Sequence, residues 1–325
     1  MQMRKPAILF FDDPEQQLLG PKMSLEVAAD GWEFYYEQDL STAISLMNSK
    51  KFSALVSNVP SVPLFSAART ANPKIINVLM TDKSMPVYAA DLDVRDVELI
   101  DHVIARLTSE WALSDLSVTL QKIIRADYFG LEKYLASGSL INSIVIKGSS
   151  NRESSNAAVS AWVDLIGLPK NLSRLAFGIS EELIMNAIFD APAAGGRTAY
   201  ASFIRSEDRE LDAEDCPTLR YGADDRMLGI SISDPFGAFA RDTWFAYARK
   251  VLRRRENNLI DLKSGGAGLG LFKILFGSHA IICNVQPKKA TEVIVLISTS
   301  QPIRDFDHMP RSIHYFGTES HSLTS

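Results

Sequence analysis

Short apolar-rich runs punctuate the first hundred residues: Ala7-Ile8-Leu9-Phe10-Phe11, Trp32–Tyr36, Phe52–Ser57, Ile75–Met80 and Val97–Ile100. Stretches with helical spacing separate them, over Glu15–Ala29, Thr42–Ser49, Phe65–Ala71 and Ser84–Asp91. A continuous apolar run is what a strand buried on both faces of a parallel sheet requires. Strands alternating with helices predict an α/β domain built on a doubly wound parallel sheet, with functional groups at the carboxyl ends of its strands.

The pattern then changes. Leu113, Leu116, Leu120 and Ile123 fall three and four apart, which predicts a helix with one apolar stripe running on towards Tyr134. That stripe either packs on its own domain or forms a homodimer seam. Ile141–Lys147 reads as a strand, and Glu153–Leu165 as a helix ended by Gly167 and Pro169. Leu172, Leu175, Ala176, Ile179, Leu183 and Ala187 form the apolar face of a second helix, broken by Pro192 and Gly195-Gly196. Strands are expected at Ala199–Ile204 and Met227–Ser233, on either side of an acidic loop over Glu207–Asp225. Further strands are expected at Ala280–Val285 and Glu292–Ser298. From Pro302 the chain turns polar and is expected to fray. The resulting division is an N-terminal domain at 1–125, a helical connector at 126–137, a second α/β domain with a mixed sheet at 138–302, and a polar tail at 303–325.

Composition narrows the function. The chain is 46% hydrophobic and 22% charged, with a net charge of −5, which speaks against a general nucleic-acid binder. Its two cysteines, Cys216 and Cys283, lack metal-ligand spacing, so neither a disulfide framework nor a zinc site is expected. No apolar run approaches the roughly 18–20 residues of a membrane span, and no signal-peptide core is present. A cytoplasmic protein without membrane contacts is the expectation.

Chemistry appears at the strand ends. Asp12-Asp13 closes the first strand, Asn58 the third and Thr81 the fourth. Over roughly residues 5–125 this arrangement resembles the receiver domain of two-component response regulators. The resemblance implies an acidic pair that binds magnesium, an aspartate after strand three that takes a phosphoryl group, and a lysine after strand five. Asn58 stands at the aspartate position, and an amide nitrogen cannot act as a carboxylate nucleophile. No lysine follows Val97–His102. The domain therefore reads as a pseudo-receiver kept as a docking surface. Asp12 and Asp13 either hold a vestigial magnesium ion or merely cap a strand–helix junction.

On the second predicted helix, Gly178, Glu182, Asn186 and Asp190 are spaced by four and share one stripe. Glu182 can accept a proton from an attacking hydroxyl or water, and Asn186 offers magnesium a neutral oxygen. A plain solvent-exposed face gives the same stripe. Asp234, at the end of a strand, can accept the exocyclic amine of adenine, which discriminates against guanine. Downstream, Gly265-Gly266-Ala267-Gly268-Leu269-Gly270-Leu271 places four glycines in six positions before an apolar helical run. Such a loop lets backbone N–H groups close around phosphates at a helix N-terminus.

These three motifs, in this order over about residues 138–300, resemble the GHKL ATPase superfamily of histidine-kinase catalytic domains, anti-sigma-factor serine kinases, gyrase B and Hsp90-type chaperones. The resemblance implies a Bergerat-type α/β sandwich. Glu182 would be the base, Asn186 the magnesium ligand and Asp234 the adenine contact. Gly266, Gly268, Leu269 and Gly270 would form the phosphate loop, and residues 240–264 the lid. The lid carries a basic run at Arg249–Arg255, a solvated face or a partner patch, and Lys263, which can reach phosphates. Two departures stand out. The family places glycines two and four residues after its aspartate, whereas this chain has Phe236 and Ala238 around Gly237, so Phe236 can pack on the base. Asp190 stands where the family often has a cation or tyrosine, and would repel phosphate unless a cation intervenes.

No histidine occurs between residues 103 and 278, which disfavours autophosphorylation of the usual histidine-kinase kind. The expectation is a bacterial-type signalling protein that binds Mg·ATP or Mg·ADP. It acts on a partner protein as a serine/threonine kinase, or alternatively as a non-catalytic nucleotide-dependent protein-interaction switch or scaffold.

Overall fold

The computed structural model describes residues 5–15, 31–84, 87, 96–197, 208–244, 270, 274–275, 277–300 and 309–317. They fall into two compact units, one comprising 1–127, 308–314 and 320–325, the other 128–307 and 315–319.

The first unit is built on β1 (Ala7–Phe11), β2 (Glu33–Glu37), β3 (Ala54–Ser57), β4 (Ile76–Thr81) and β5 (His102–Ala105). They lie in the order β2-β1-β3-β4-β5, and every adjacent pair is parallel. This is the flavodoxin-like order of doubly wound sheets, whose sites lie outside the carboxyl strand ends. β1, β3 and β4 are buried along their whole length, with Ser57 of β3 and Asn77 and Thr81 of β4 as the polar exceptions to their apolar runs. Helices α1 (Leu40–Ser49), α2 (Val62–Ala71) and α3 (Ser109–Arg125) accompany them. The helices expected at 15–29 and 84–91 fall almost wholly outside the described residues.

Two expectations for this unit are corrected. The last parallel strand is His102–Ala105, not Val97–Ile100, which instead includes a 3-10 turn at Asp96–Leu99. Asp101 sets the boundary: its carboxylate accepts from the Asn77 amide (2.8 Å) and from Arg69 (2.8 Å), so pairing with β4 begins one residue later. The residue after the strand is then Arg106. The apolar stripe lies on α3, which ends at Ala126 in a left-handed conformation (φ 50°) rather than running on to Tyr134. Leu116, Leu120 and Ile123 are buried within the chain, so they form no free homodimer seam.

The second unit contains β6 (Ile141–Val145), β7 (Thr218–Ala223), β8 (Met227–Asp234), β9 (Ala280–Gln286) and β10 (Ala290–Ser298). Their order is β9-β10-β8-β7-β6. Among the described residues these adjacent pairs are antiparallel, β7–β8 and β9–β10 as hairpins, whereas β6–β7 and β8–β10 are joined by longer connections. β7 lies inside the stretch read as an acidic loop. Leu219 and Tyr221 face the core between Thr218 and Arg220, an alternation hidden by the flanking acids. The strand expected at 199–204 lies outside the described residues. The connector is not helical beyond a 3-10 turn at Leu131–Tyr134. Gly130 (φ 118°) donates its N–H to buried Glu292 (2.8 Å) instead, and Leu131 packs against Gly229.

Helices α4 (Arg152–Leu165) and α5 (Lys170–Met185) pack together, and α5 lies against β8. Leu172, Ala176, Ile179 and Leu183 form the buried face of α5, as the periodicity predicts. The helix does not break at Pro192. It widens into a π turn, Asn186–Asp190, and continues as the short α6 (Ala191–Ala194). The Ala191 N–H reaches back to the Asn186 carbonyl, which shifts the hydrogen-bond ladder where Pro192 has no N–H to give. Gly195 and Gly196 (φ 81°) then end it.

The final strand, β11 (Ser312–Gly317), lies within the segment expected to fray. In the first unit it runs antiparallel to β5, pairing Ile313 with Val103 and His314 with His102. Ser312 Oγ accepts from the Ala105 N–H (3.0 Å), and His314 Nε2 meets Asp115 Oδ1 (3.1 Å). In the second unit Tyr315 donates its hydroxyl to the Phe239 carbonyl (3.0 Å), and Phe316 stacks on Tyr128. Serines and histidines gave this segment its polar look, but Ser312 and His314 are buried and bonded.

Candidate functional site

At the carboxyl end of the parallel sheet, Asp12 and Thr81 are buried, and Asn58 lies between the acidic pair. Asn58 donates its amide to Asp12 Oδ1 (2.7 Å) and accepts from the Asp13 backbone N–H (2.8 Å). Tyr36, from the neighbouring strand, donates to Asp12 Oδ2 (2.8 Å). Burial and then the Asp12 carboxylate push the Tyr36 hydroxyl up to about 12. Both Asp12 oxygens thus already accept a protein donor. Among the described residues no group of three or more His, Cys, Asp or Glu side chains is placed to hold a metal ion. The acidic pair, Asn58 and Thr81 are brought together as the sequence implies. Tyr36 was missed, since only the pairing of β2 with β1 puts it there.

The second unit holds a cavity of about 200 Å³, room for a ring system rather than a single ordered water. Asn186 and Asp190 line it from the π turn, Leu183 from α5, Asp234 from the end of β8, and Thr291 from β10. Asp234 and Thr291 are direct cross-strand neighbours. Asp234 Oδ1 accepts from the Phe236 N–H (2.9 Å). Burial pushes the Asp234 carboxyl up to about 6, and hydrogen bonds from Phe236, Gly237 and Thr291 pull only part of the way back. Thr291 went unnoticed in the sequence because its role depends on strand register.

Gly237 is required by geometry. Its φ is +59°, and a Cβ there would strike the Gln286 carbonyl and approach Lys288 N to 2.7 Å. This glycine seats the turn after Asp234 on the β9–β10 hairpin. Phe236 does not line the cavity; it packs beneath Gly195, where a Cβ would come within 2.9 Å of the ring. Phe239 lines the wall instead and meets Trp244 edge-on at 6.1 Å.

Glu182 is half-buried one helical turn before Asn186, and its carboxylate lies against Gly270, where a Cβ would clash with it. The glutamate read as a base and the last glycine of the loop are therefore adjacent. Lys263, Gly266, Gly268, Leu269 and the basic run 249–255 lie outside the described residues. No helix among the described residues is long and apolar enough to cross a membrane.

No family model matches this chain, and no curated protein matches it either. Solved structures with detectable likeness include the signal receiver domain of an HD domain-containing protein from Pseudomonas fluorescens Pf-5. That match has 16% identity over 38% of this chain and 97% of that one, with a TM-score of 0.29. The SiaB–SiaC complex from Pseudomonas aeruginosa matches at 14% identity over 56% and 97%, with a TM-score of 0.35. A response regulator protein from Burkholderia pseudomallei, solved with a phosphorylated aspartic acid, calcium and citrate, matches at 15% identity over 38% and 77%, with a TM-score of 0.27. These neighbours are receiver domains and a two-protein complex, and each TM-score is low. The receiver-like order of the first unit stands on its own strand pairing.

Proposed function

We propose that the second unit is a GHKL-type site for an adenine nucleotide with magnesium, in a signalling protein that acts on a protein partner. The observation that carries this reading is the single cavity into which Asn186, Asp190 and Asp234 all open. Asp234 is a buried acceptor for an exocyclic amine, and the apolar wall of Leu183 and Phe239 suits the flat faces of a base. Asn186 supplies the oxygen that suits magnesium, which when bound neutralises phosphate charge. Glu182 lies at the Gly270 end, where the glycine loop would bring phosphates.

In the catalytic form of this reading, Glu182 takes the proton of a serine or threonine hydroxyl on the partner. The hydroxyl oxygen bonds to the γ-phosphorus, the bond to the β-phosphate oxygen breaks, and ADP leaves. Positioning and electrostatics supply most of the acceleration in such transfers. A second reading, a non-catalytic switch, is favoured by Asp190, which brings negative charge into the same cavity. The first unit serves in both as a docking module that cannot be phosphorylated at Asn58.

Calorimetric titration with Mg·ATP and Mg·ADP tests the site. Micromolar binding by the wild type, lost in Asp234→Asn, is the expected result; no heat from either nucleotide overturns the reading. Labelled phosphate on a partner protein, abolished in Glu182→Ala with nucleotide binding retained, separates the kinase from the switch.

A further inference from the structure

Two contacts orient the cavity along one helix. Glu182 lies against Gly270 at one end, and Gly195 lies against Phe236, two residues past Asp234, at the other. Asn186 and Asp190 fall between them, Asp190 one π turn beyond Asn186, itself one α turn beyond Glu182. A nucleotide laid along this axis has phosphates at the glycine end, its base at the Asp234 end, and its sugar in between. Asp190 is exposed at the cavity edge. The described lining residues include two carboxylates, Asp190 and Asp234, and no lysine or arginine. An acceptor-rich wall of this kind suits the donor-bearing parts of a ligand, its amine and its hydroxyls, and repels its phosphates.

We infer that Asp190 reads the sugar: its carboxylate accepts hydrogen bonds from the ribose 2′- and 3′-hydroxyls and makes the site selective for ribonucleotides. This assignment rests on the nucleotide reading above. It explains why a residue hostile to phosphate stands one turn after the magnesium-type asparagine. Displaced from the phosphates by a turn of helix, the same charge meets hydroxyl donors, and charge-assisted hydrogen bonds of that kind are among the stronger ones.

The test is competition binding of ADP, 2′-deoxy-ADP and 3′-deoxy-ADP to the full chain and to Asp190→Ala and Asp190→Asn. The wild type is expected to prefer ADP over the 2′-deoxy analogue by about tenfold or more, the size expected when a hydrogen bond to a charged group is lost. Asp190→Ala should bring that ratio to within about twofold, and Asp190→Asn, which keeps an accepting oxygen, should restore part of it. A general weakening of the fold would lower all three affinities and leave the ratio unchanged. Wild-type protein that binds ADP and its deoxy analogues equally overturns the sugar assignment alone, as does an unchanged ratio in Asp190→Ala. Failure of the wild type to bind any of the three overturns the nucleotide site itself.

Discussion

Each unit ends a buried strand in an aspartate, and the two aspartates have met different fates. Asp12 follows β1 and is sealed by side chains from its neighbours: Asn58 takes one oxygen and Tyr36 the other. Asp234 ends β8, is held from behind by its own turn and by Thr291, and opens onto a cavity. The first arrangement consumes its acceptor capacity in packing the sheet end. The second holds its proton more tightly than an ordinary carboxyl and faces an open cavity. What distinguishes them is where the hydrogen-bond donors stand: those on Asp12 include side chains from both flanking strands, whereas those on Asp234 come from its own turn and from Thr291 and leave it facing a cavity.

The largest way to disturb this contrast is at the turn behind Asp234. Gly237→Ala adds a Cβ in a left-handed conformation against the Gln286 carbonyl and should cost about 3 kcal/mol or more. Urea denaturation measures the loss, and a cost below about 1 kcal/mol would mean that the turn does not depend on this glycine. The next effect concerns protons. Asp234 moves from the ordinary 3.8 to about 6, so the folded state holds its proton more tightly than the unfolded one. Its contribution to stability is therefore complete below about pH 4 and disappears as pH rises through 6, a change of up to about 3 kcal/mol. Asp234→Asn should flatten stability across that window. A profile of unchanged slope in the variant would reassign the titration.

A smaller effect is expected at the sealed end. Asn58→Asp sets a second carboxylate where an amide now donates to Asp12 at 2.7 Å, and should cost about 2 kcal/mol at neutral pH. Millimolar Mg²⁺ should recover much of it by replacing the lost donor with a cation. Full stability without Mg²⁺ would show that the seal does not depend on the amide. Tyr36→Phe is the mildest change, removing one hydroxyl donor at a cost of about 1 kcal/mol, read from the same denaturation curves.

Elements whose pattern is local were legible in the sequence. β1, β3, β4 and α5 carry unbroken or strictly periodic apolar positions, and the spacing of Glu182, Asn186 and Asp190 along α5 and its π turn follows from helix geometry alone. Elements defined by a partner were not. β7 hides among acids because only pairing with β6 and β8 reveals its buried Leu219 and Tyr221. β5 begins with a histidine and β11 contains another, and the two meet in the core, where His314 also reaches Asp115. The same holds for the sites. Asp234 could be picked out by its place at a strand end, but Thr291 and Tyr36 enter through cross-strand register, which a single sequence does not display.

β11 also imposes an order on the birth of the protein. The outer edge of β5 is paired by residues 313 and 314, which leave the ribosome long after residue 103. At roughly 5–20 residues per second, that edge waits about 10–40 s for its partner. The nascent first unit therefore carries an incomplete sheet while residues 128–307 of the second unit are being made, and its buried histidine pair can form only once His314 has emerged.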